Sequence, residues 1–352
     1  MSDQIRKRKA DHLSICLKKD VECKSVTTGL EYVYIVHNAL PEIDLDDVDT
    51  SSDFFGHKLS FPLLFDSITG GSKEAKQVNQ IVAEVAKEKG LGMFLGSIRP
   101  ALDDPNILDS YTIARDTAPD IFIGLNVGAP QLSRGLDIDR LKSILNDIKA
   151  NALSIHLNPL QESVQFEGEP FFRSVLERIR FLVKNLNVPI IVKEVGCGIS
   201  REVATKLELS GVSAINVAGL GGTNWATVES IRSKMLGNDF KAELGDLFSS
   251  WGIPTSISII ECVQSVKIPI IASGGIRSGL DMFKAMVLGA RYCSIALPVL
   301  RASKSSQELS LLADKFLAGF KTAMFLSGCK SVNDIKSVRY YLGPQLKGLL
   351  AR

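Results

Sequence analysis

The chain has 352 residues, with 41 Lys and Arg against 39 Asp and Glu, a formal net charge of +2. That balance excludes a general nucleic-acid binder, which would carry a marked basic excess. With 45% hydrophobic and 23% charged residues the composition is that of a globular protein, which excludes disorder as the main theme, and a chain this long buries a large core without staples.

Residues 1–60 open on a basic run, Arg6-Lys7-Arg8-Lys9, and hold an acidic run from Asp44 to Asp49. They are expected to form an N-terminal arm that caps or crosses the domain after them. No apolar stretch follows the basic run, so it lacks the form of a secretory signal. The run reads as a solvated tail, a nucleic-acid patch or a lid that clamps an anion, and the near-zero net charge weakens the second. His12 lies one helical turn beyond Lys9, on the same face if the segment is helical.

From residue 61 one unit repeats: a short apolar run, then an amphipathic helical stretch. The runs are 61–65, 91–95, 121–125, 152–157, 189–192, 214–218, 268–272 and 292–297, eight in all. Helical patterns fall at 75–88, 136–149, 171–185, 200–209, 255–266 and 280–288. Strands alternating with helices imply a parallel sheet with right-handed crossovers, and eight units close into a (β/α)8 TIM barrel over 61–352 with C-terminal helices. A doubly wound sheet would need no eighth strand and usually shows GxGxxG after its first. Here that turn reads Asp66-Ser67-Ile68-Thr69-Gly70-Gly71. The stretch 219–252 is expected as a long loop, and long loops on this fold often carry function.

Cys16, Cys23, Cys197, Cys262, Cys293 and Cys329 form no CxxC pair and have no His cluster beside them. They read as reduced apolar fillers, not a disulfide framework or a zinc site. No apolar run is long enough to span a bilayer, so no membrane association is expected and a cytoplasmic location is the default.

On such a barrel the chemistry lies at the C-terminal strand ends, and side-chain parity tells which residues face inward. In the fourth run Leu153, Ile155 and Leu157 share one face, Ser154, His156 and Asn158 the other, and Gln161-Glu162 follow. A buried polar face is costly unless its groups are hydrogen-bonded or bind something. Lys193 shares the parity of Ile191 at the end of the fifth run. It reads as a partner for an anion, a Schiff-base nucleophile, or a rim lysine paired with a carboxylate. Ser67, Thr69, Ser97, Arg99 and Asn126 end neighbouring runs and complete a polar ring. Ser273-Gly274-Gly275-Ile276-Arg277 and the run ending at Leu297 sit where barrels bind phosphate through backbone N–H groups. With a second glycine-rich turn, Gly219 to Thr223, they suit a large phosphorylated ligand such as a flavin nucleotide.

Taken in order, Arg8-Lys9-Ala10-Asp11-His12, Thr69-Gly70-Gly71, Ser97-Ile98-Arg99, His156-Leu157-Asn158-Pro159 with Gln161-Glu162, Val192-Lys193-Glu194-Val195-Gly196, Gly221-Gly222-Thr223-Asn224-Trp225 and Gly274-Gly275-Ile276-Arg277 resemble the flavin-dependent, type II isopentenyl-diphosphate isomerases. The resemblance spans roughly residues 6 to 300. It implies a barrel that holds FMN and interconverts isopentenyl and dimethylallyl diphosphate by a proton shift. It also implies reduced FMN as acid and base, NADPH or NADH as reductant, Mg2+ on the diphosphate, and a homotetramer or larger assembly. It assigns FMN contacts to Thr69, Ser97, Asn126, Lys193, Thr223, Gly274, Gly275, Arg277, Ala296 and Leu297. Substrate contacts fall to Arg8, Lys9, His12, Ser97, Arg99, His156, Asn158 and Gln161, the metal to Glu162, and catalytic roles to Gln161, Lys193 and Glu229. Arg8, Lys9, Arg99 and His156 are expected to neutralise the diphosphate. The family more often has Ser at the place of Asn224. One rival is an FMN oxidoreductase of a 2-hydroxy acid or a nucleotide, but the nucleotide enzymes need a Cys in the loop 219–225, which has none. The other is a non-catalytic ligand binder, which Gln161, Glu162 and Lys193 argue against.

Overall fold

A computed structural model describes residues 2–350, with side chains described from Lys7 onward, so the side chain of Arg6 lies outside the described residues. Three short strands come first: β1 (Val33–Ile35), β2 (Ser52–Phe54) and β3 (His57–Leu59). The eight runs then form β4 (Leu63–Phe65), β5 (Gly92–Ser97), β6 (Ile123–Gly128), β7 (Ala152–His156), β8 (Ile190–Lys193), β9 (Ala214–Asn216), β10 (Ile270–Ala272) and β11 (Tyr292–Ile295). They pair in parallel in that order, and β11 closes on β4. The predicted (β/α)8 barrel is therefore present, with strand ends displaced by a few residues.

Parity holds on β7 and β8 but slips on β5, where the register shifts between Phe94 and Ser97 and Ser97 reaches the cavity. Leu153, Ile155, Ile190 and Val192 face the layer between barrel and helices. Leu64, Phe94, Phe122, Ala152, Ile191, Ala214, Ile271 and Tyr292 fill the barrel's lower interior. That end is closed by the β2–β3 hairpin. Its two-residue turn, Phe55-Gly56, has positive φ at both positions, the primed turn that matches strand twist. Phe54 enters the barrel with its ring 4.6 Å from Phe122 and 4.7 Å from Tyr292.

The N-terminal helix, Ser2–Lys18, serves the opposite end. Ile15 and Cys16, with Val21 just beyond, pack on Val228, Leu297 and Leu300 above the strand ends. Residues 1–60 thus reach both ends of the barrel. β1 also pairs antiparallel with β12 (Tyr340–Leu342), tying both chain termini together.

The expected long stretch 219–252 carries two helices: Trp225–Met235, which the resemblance implied by placing Glu229 on a helix after Trp225, and Asp239–Leu247, which was not foreseen. The first buries Glu229, Ser230, Arg232 and Ser233 along with Ala226 and Val228. A helix that buries polar groups shows no apolar stripe, so its period is invisible in the sequence. Helix Ser306–Phe325 closes the barrel's outer ring against Gly279–Val287. There a Cβ on Gly279 would come within 2.1 Å of the Phe316 carbonyl oxygen, so only glycine allows that approach. Among the described residues no helix is long and apolar enough to cross a membrane.

Candidate active site

One cavity opens at the C-terminal strand ends beneath the N-terminal helix. Every residue assigned above to substrate, FMN or metal lines it, as do Gln161 and Lys193. Glu229 alone of the expected set is off its wall.

The floor is a polar network joining five strands. Lys193 Nζ donates to Asp66 Oδ1 at 2.9 Å. Asp66 Oδ2 accepts from Asn216 Nδ2 at 3.0 Å and Ser294 Oγ at 2.8 Å, and Ser273 Oγ donates to Asn216 Oδ1 at 2.5 Å. Burial pushes the Asp66 carboxyl up, but the Lys193 ammonium together with the Ser294 hydroxyl and the Ser67 N–H outweighs it and holds the group below the usual carboxylate range. Asp66 was not among the expected site residues. Its signal was its place, directly after the last residue of the first strand. Glu194, next along from Lys193, accepts from the N–H groups of Val195, Gly196 and Cys197 and so fixes a wall loop. Burial pushes its pKa up to about 7 despite those donors.

The cationic wall departs from expectation. Lys9 Nζ donates to the carbonyls of Gly70 at 2.6 Å and Ser97 at 3.1 Å. Burial, then the charges of Arg8 and Arg99, lower its pKa to about 7. His156 Nδ1 lies 2.5 Å from Asn126 Oδ1. Burial, then Lys193 and Lys9, lower its pKa to about 3. In the free protein His156 is a neutral hydrogen-bonding group, not a diphosphate counter-charge, and Lys9 is only partly charged at neutral pH. Desolvation and crowding of like charges are the reason. Arg99 pairs with Glu169 at 2.9 Å, which also holds Arg134 at 2.8 Å.

Beside these cations sits a cluster of one carboxylate and two side-chain amides. Asn158 Nδ2 donates to Glu162 Oε1 at 2.9 Å and Gln161 Oε1 at 3.3 Å, and the Glu169 N–H donates to Glu162 Oε2 at 2.7 Å. The buried Asn158 Oδ1 has no partner. No three His, Cys, Asp or Glu among the described residues gather as a metal cage. One carboxylate with amide oxygens nearby suits a hard divalent ion held mainly through a ligand's phosphates.

Glu229 is fully buried one layer behind the wall. Its Oε1 lies 2.8 Å from His12 Nε2, and Arg232 Nη1 is 3.8 Å from its Oε2. The cause is helical register. Trp225 meets the His12 ring edge-on at 5.1 Å, and Glu229 is one turn further along the same face. With its amide oriented to satisfy both neighbours, Gln165 accepts from Arg8 at 2.8 Å and donates to Glu229 at 2.9 Å. Arg232 grips Glu167 with two bonds of 2.7 Å and reaches Asp11 at 3.2 Å, anchoring the N-terminal helix.

At the other end of the cavity the two glycine-rich turns pack backbone to backbone. Gly221, Gly274 and Gly275 have positive φ, and a Cβ on Gly222 would lie 2.2 Å from the Gly275 nitrogen. Arg277 pairs with Glu22 at 2.8 Å, a partner the sequence did not reveal. The site fits FMN. The Ser67 hydroxyl on the wall is buried without a partner, the glycine turns leave bare backbone at one end, and Lys193 supplies a cation within.

A closed (β/α)8 barrel with this polar mouth and paired glycine turns defines a flavin-dependent barrel protein. Residues 140–341, over half the chain, match the family model described as FMN-dependent dehydrogenase. Over nearly its whole length the chain is also 45% identical to the isopentenyl-diphosphate delta-isomerase of Archaeoglobus fulgidus (344 residues, 97% of each). The figures are 43% for that of a Nostoc species (95% of each) and 42% for that of Metallosphaera sedula (97% of this chain, 94% of the relative). The chain belongs to the isopentenyl-diphosphate delta-isomerase family, on the FMN-dependent barrel. Solved mandelate oxidases share the fold. One with an FMN adduct has a TM-score of 0.62 at 18% identity over 90% of each chain, and another a TM-score of 0.64 at 17% over 95% of each.

Proposed function

We propose that this protein interconverts isopentenyl and dimethylallyl diphosphate, with reduced FMN and Mg2+ bound in the cavity. NADPH or NADH is the reductant, and the protein works in the cytoplasm as a homotetramer or larger assembly. The observation that carries the reading is one cavity holding both an anion-binding cluster, Arg8, Lys9 and Arg99, and a buried ammonium, Lys193. When bound and reduced, FMN would supply a proton donor and acceptor, which accounts for a redox cofactor in a reaction with no net redox change.

The chain's own residues do the rest. Thr69, Ser97, Asn126, Thr223, Gly274, Gly275, Arg277, Ala296 and Leu297 hold the cofactor, and Lys193 balances the negative charge of its reduced form. Arg8 and Arg99 grip the diphosphate through charge-assisted hydrogen bonds. The incoming anion favours protonation of Lys9, so part of the counter-charge arrives with the substrate, while His156 serves as a neutral hydrogen-bonding group. Glu162, with Asn158 and Gln161 beside it, holds Mg2+ against the phosphates. Glu229 orients His12, and Gln165 links it to Arg8. Leu13, Cys16, Ile68, Trp225 and Leu300 give the mouth an apolar roof that keeps water from the carbon chain.

The test is reconstitution. The purified protein should bind one FMN per chain and, once reduced and given Mg2+, convert isopentenyl diphosphate to dimethylallyl diphosphate. A colourless protein that takes up no FMN overturns the reading.

A further inference from the structure

The buried pair on the cavity floor has a property that packing does not require. Asp66 and Lys193 are only 3% and 7% exposed, and a buried ion pair is poor currency for stability because two charges lose their water. This one is nevertheless built in full. Asp66 Oδ1 accepts from Lys193 Nζ at 2.9 Å and from the Ser67 N–H at 2.7 Å. Oδ2 accepts from Asn216 at 3.0 Å and Ser294 at 2.8 Å. Four donors leave the carboxylate ionised and without freedom to turn. On the other side, Lys193 Nζ carries three protons, and Asp66 is its one protein acceptor among the described residues. Two N–H donors remain, and Lys193 lines the cavity.

We propose that Asp66 is a positioning residue that fixes Lys193 on the cavity floor and sets how much of its positive charge the bound flavin feels. This rests on the FMN reading above. Oxidised flavin is neutral, whereas flavin reduced by two electrons and deprotonated is an anion. A lone ammonium on the floor would favour the anion strongly. An ammonium bound to a carboxylate favours it less, because the pair is neutral overall. Asp66 thereby holds the flavin potential down, so the reduced flavin stays a competent proton donor instead of an over-stabilised anion. Asn216 acts one step further back. It is buried beneath the cavity, not on its wall, and draws part of the carboxylate's charge away from the lysine.

The experiment measures dissociation constants of oxidised and reduced FMN, with the midpoint potential, in wild type, Asp66→Asn and Asn216→Ala. Asp66→Asn removes the negative charge and should raise the ratio of oxidised to reduced dissociation constants about tenfold, a rise of about 30 mV for a two-electron couple. Asn216→Ala leaves more carboxylate charge on Lys193 and should move the ratio the other way, by about threefold. Shifts of opposite sign support the proposal. An unchanged ratio in both variants, even with uniformly weaker binding, marks the network as structural and overturns it. If Asp66→Asn does not fold, Asn216→Ala decides alone. Failure of the wild-type protein to bind FMN overturns the FMN reading and this proposal together. A wild type that binds FMN beside variants with an unmoved ratio overturns only the role of Asp66.

Discussion

The two ends of the barrel interior are built from the same strands, and on five of them they lie two residues apart. Leu64 is followed on the inner face by Asp66, Ile191 by Lys193, Ala214 by Asn216, Ile271 by Ser273 and Tyr292 by Ser294. The lower layer is apolar and plugged by Phe54 and its ring contacts. The upper layer is polar and leaves Ser67 Oγ and Asn158 Oδ1 buried without partners. A barrel core needs its lower layer to hold together, whereas the upper one satisfies most of its polar groups through its own network and leaves a few open to a ligand. Stability and chemistry are thus separated by one inward step on these five strands.

That division can be broken from either side. The largest effect is expected below. Phe54→Ala should cost about 4 kcal/mol of folding stability by denaturant titration, the range for a large ring removed from a packed core, with FMN affinity of the folded fraction unchanged. A matching loss of FMN affinity would show that the two layers are not separable. Above, Lys193→Ala should slow isomerisation by about two orders of magnitude, roughly 3 kcal/mol, and make the flavin harder to reduce. Near-normal turnover with an unshifted potential would reduce Lys193 to a structural partner of Asp66. Glu162→Gln should raise the Mg2+ concentration needed for half-maximal turnover about tenfold while FMN stays bound. An unmoved Mg2+ requirement would assign the ion elsewhere.

The smallest effect is a pH dependence. Lys9, with a pKa near 7 in the free protein, is charged below that pH and neutral above it. Diphosphate binding favours the charged form, so above about pH 7 binding must take up a proton. KM for the diphosphate should be flat below pH 7 and rise above it by at most about tenfold per pH unit. Lys9→Met should have a higher KM throughout and lose the part of that rise due to Lys9. An identical pH profile in wild type and variant would mean that Lys9 does not titrate on binding.

What the sequence revealed follows the same division. Period-two parity placed Lys193, Asn126 and His156 inside the mouth because β6, β7 and β8 alternate without a register shift, and the alternation of eight apolar runs with helical stretches gave the barrel. Asp66 escaped because its meaning depends on Lys193 on a distant strand, and no local spacing encodes that pairing. The bond between Arg277 and Glu22, 255 residues apart in sequence, is of the same kind. Helix Trp225–Met235, implied only through the family resemblance, shows no apolar stripe because it buries polar residues, so the layer position of Glu229 could not be read from periodicity. The charge states of Lys9 and His156 were misjudged because residue type gives an ordinary pKa, whereas burial sets the real one.

The most direct test of the central claim, that the polar layer runs an isomerisation on a redox scaffold, is a multiple-turnover reaction in deuterated water. FMN-loaded, pre-reduced protein would be given isopentenyl diphosphate, with product mass and flavin absorbance followed together. The account predicts dimethylallyl diphosphate carrying solvent deuterium, many turnovers per flavin, and a flavin still reduced at the end. Flavin oxidised one for one with substrate consumed, or no dimethylallyl product from protein with FMN bound, would contradict it.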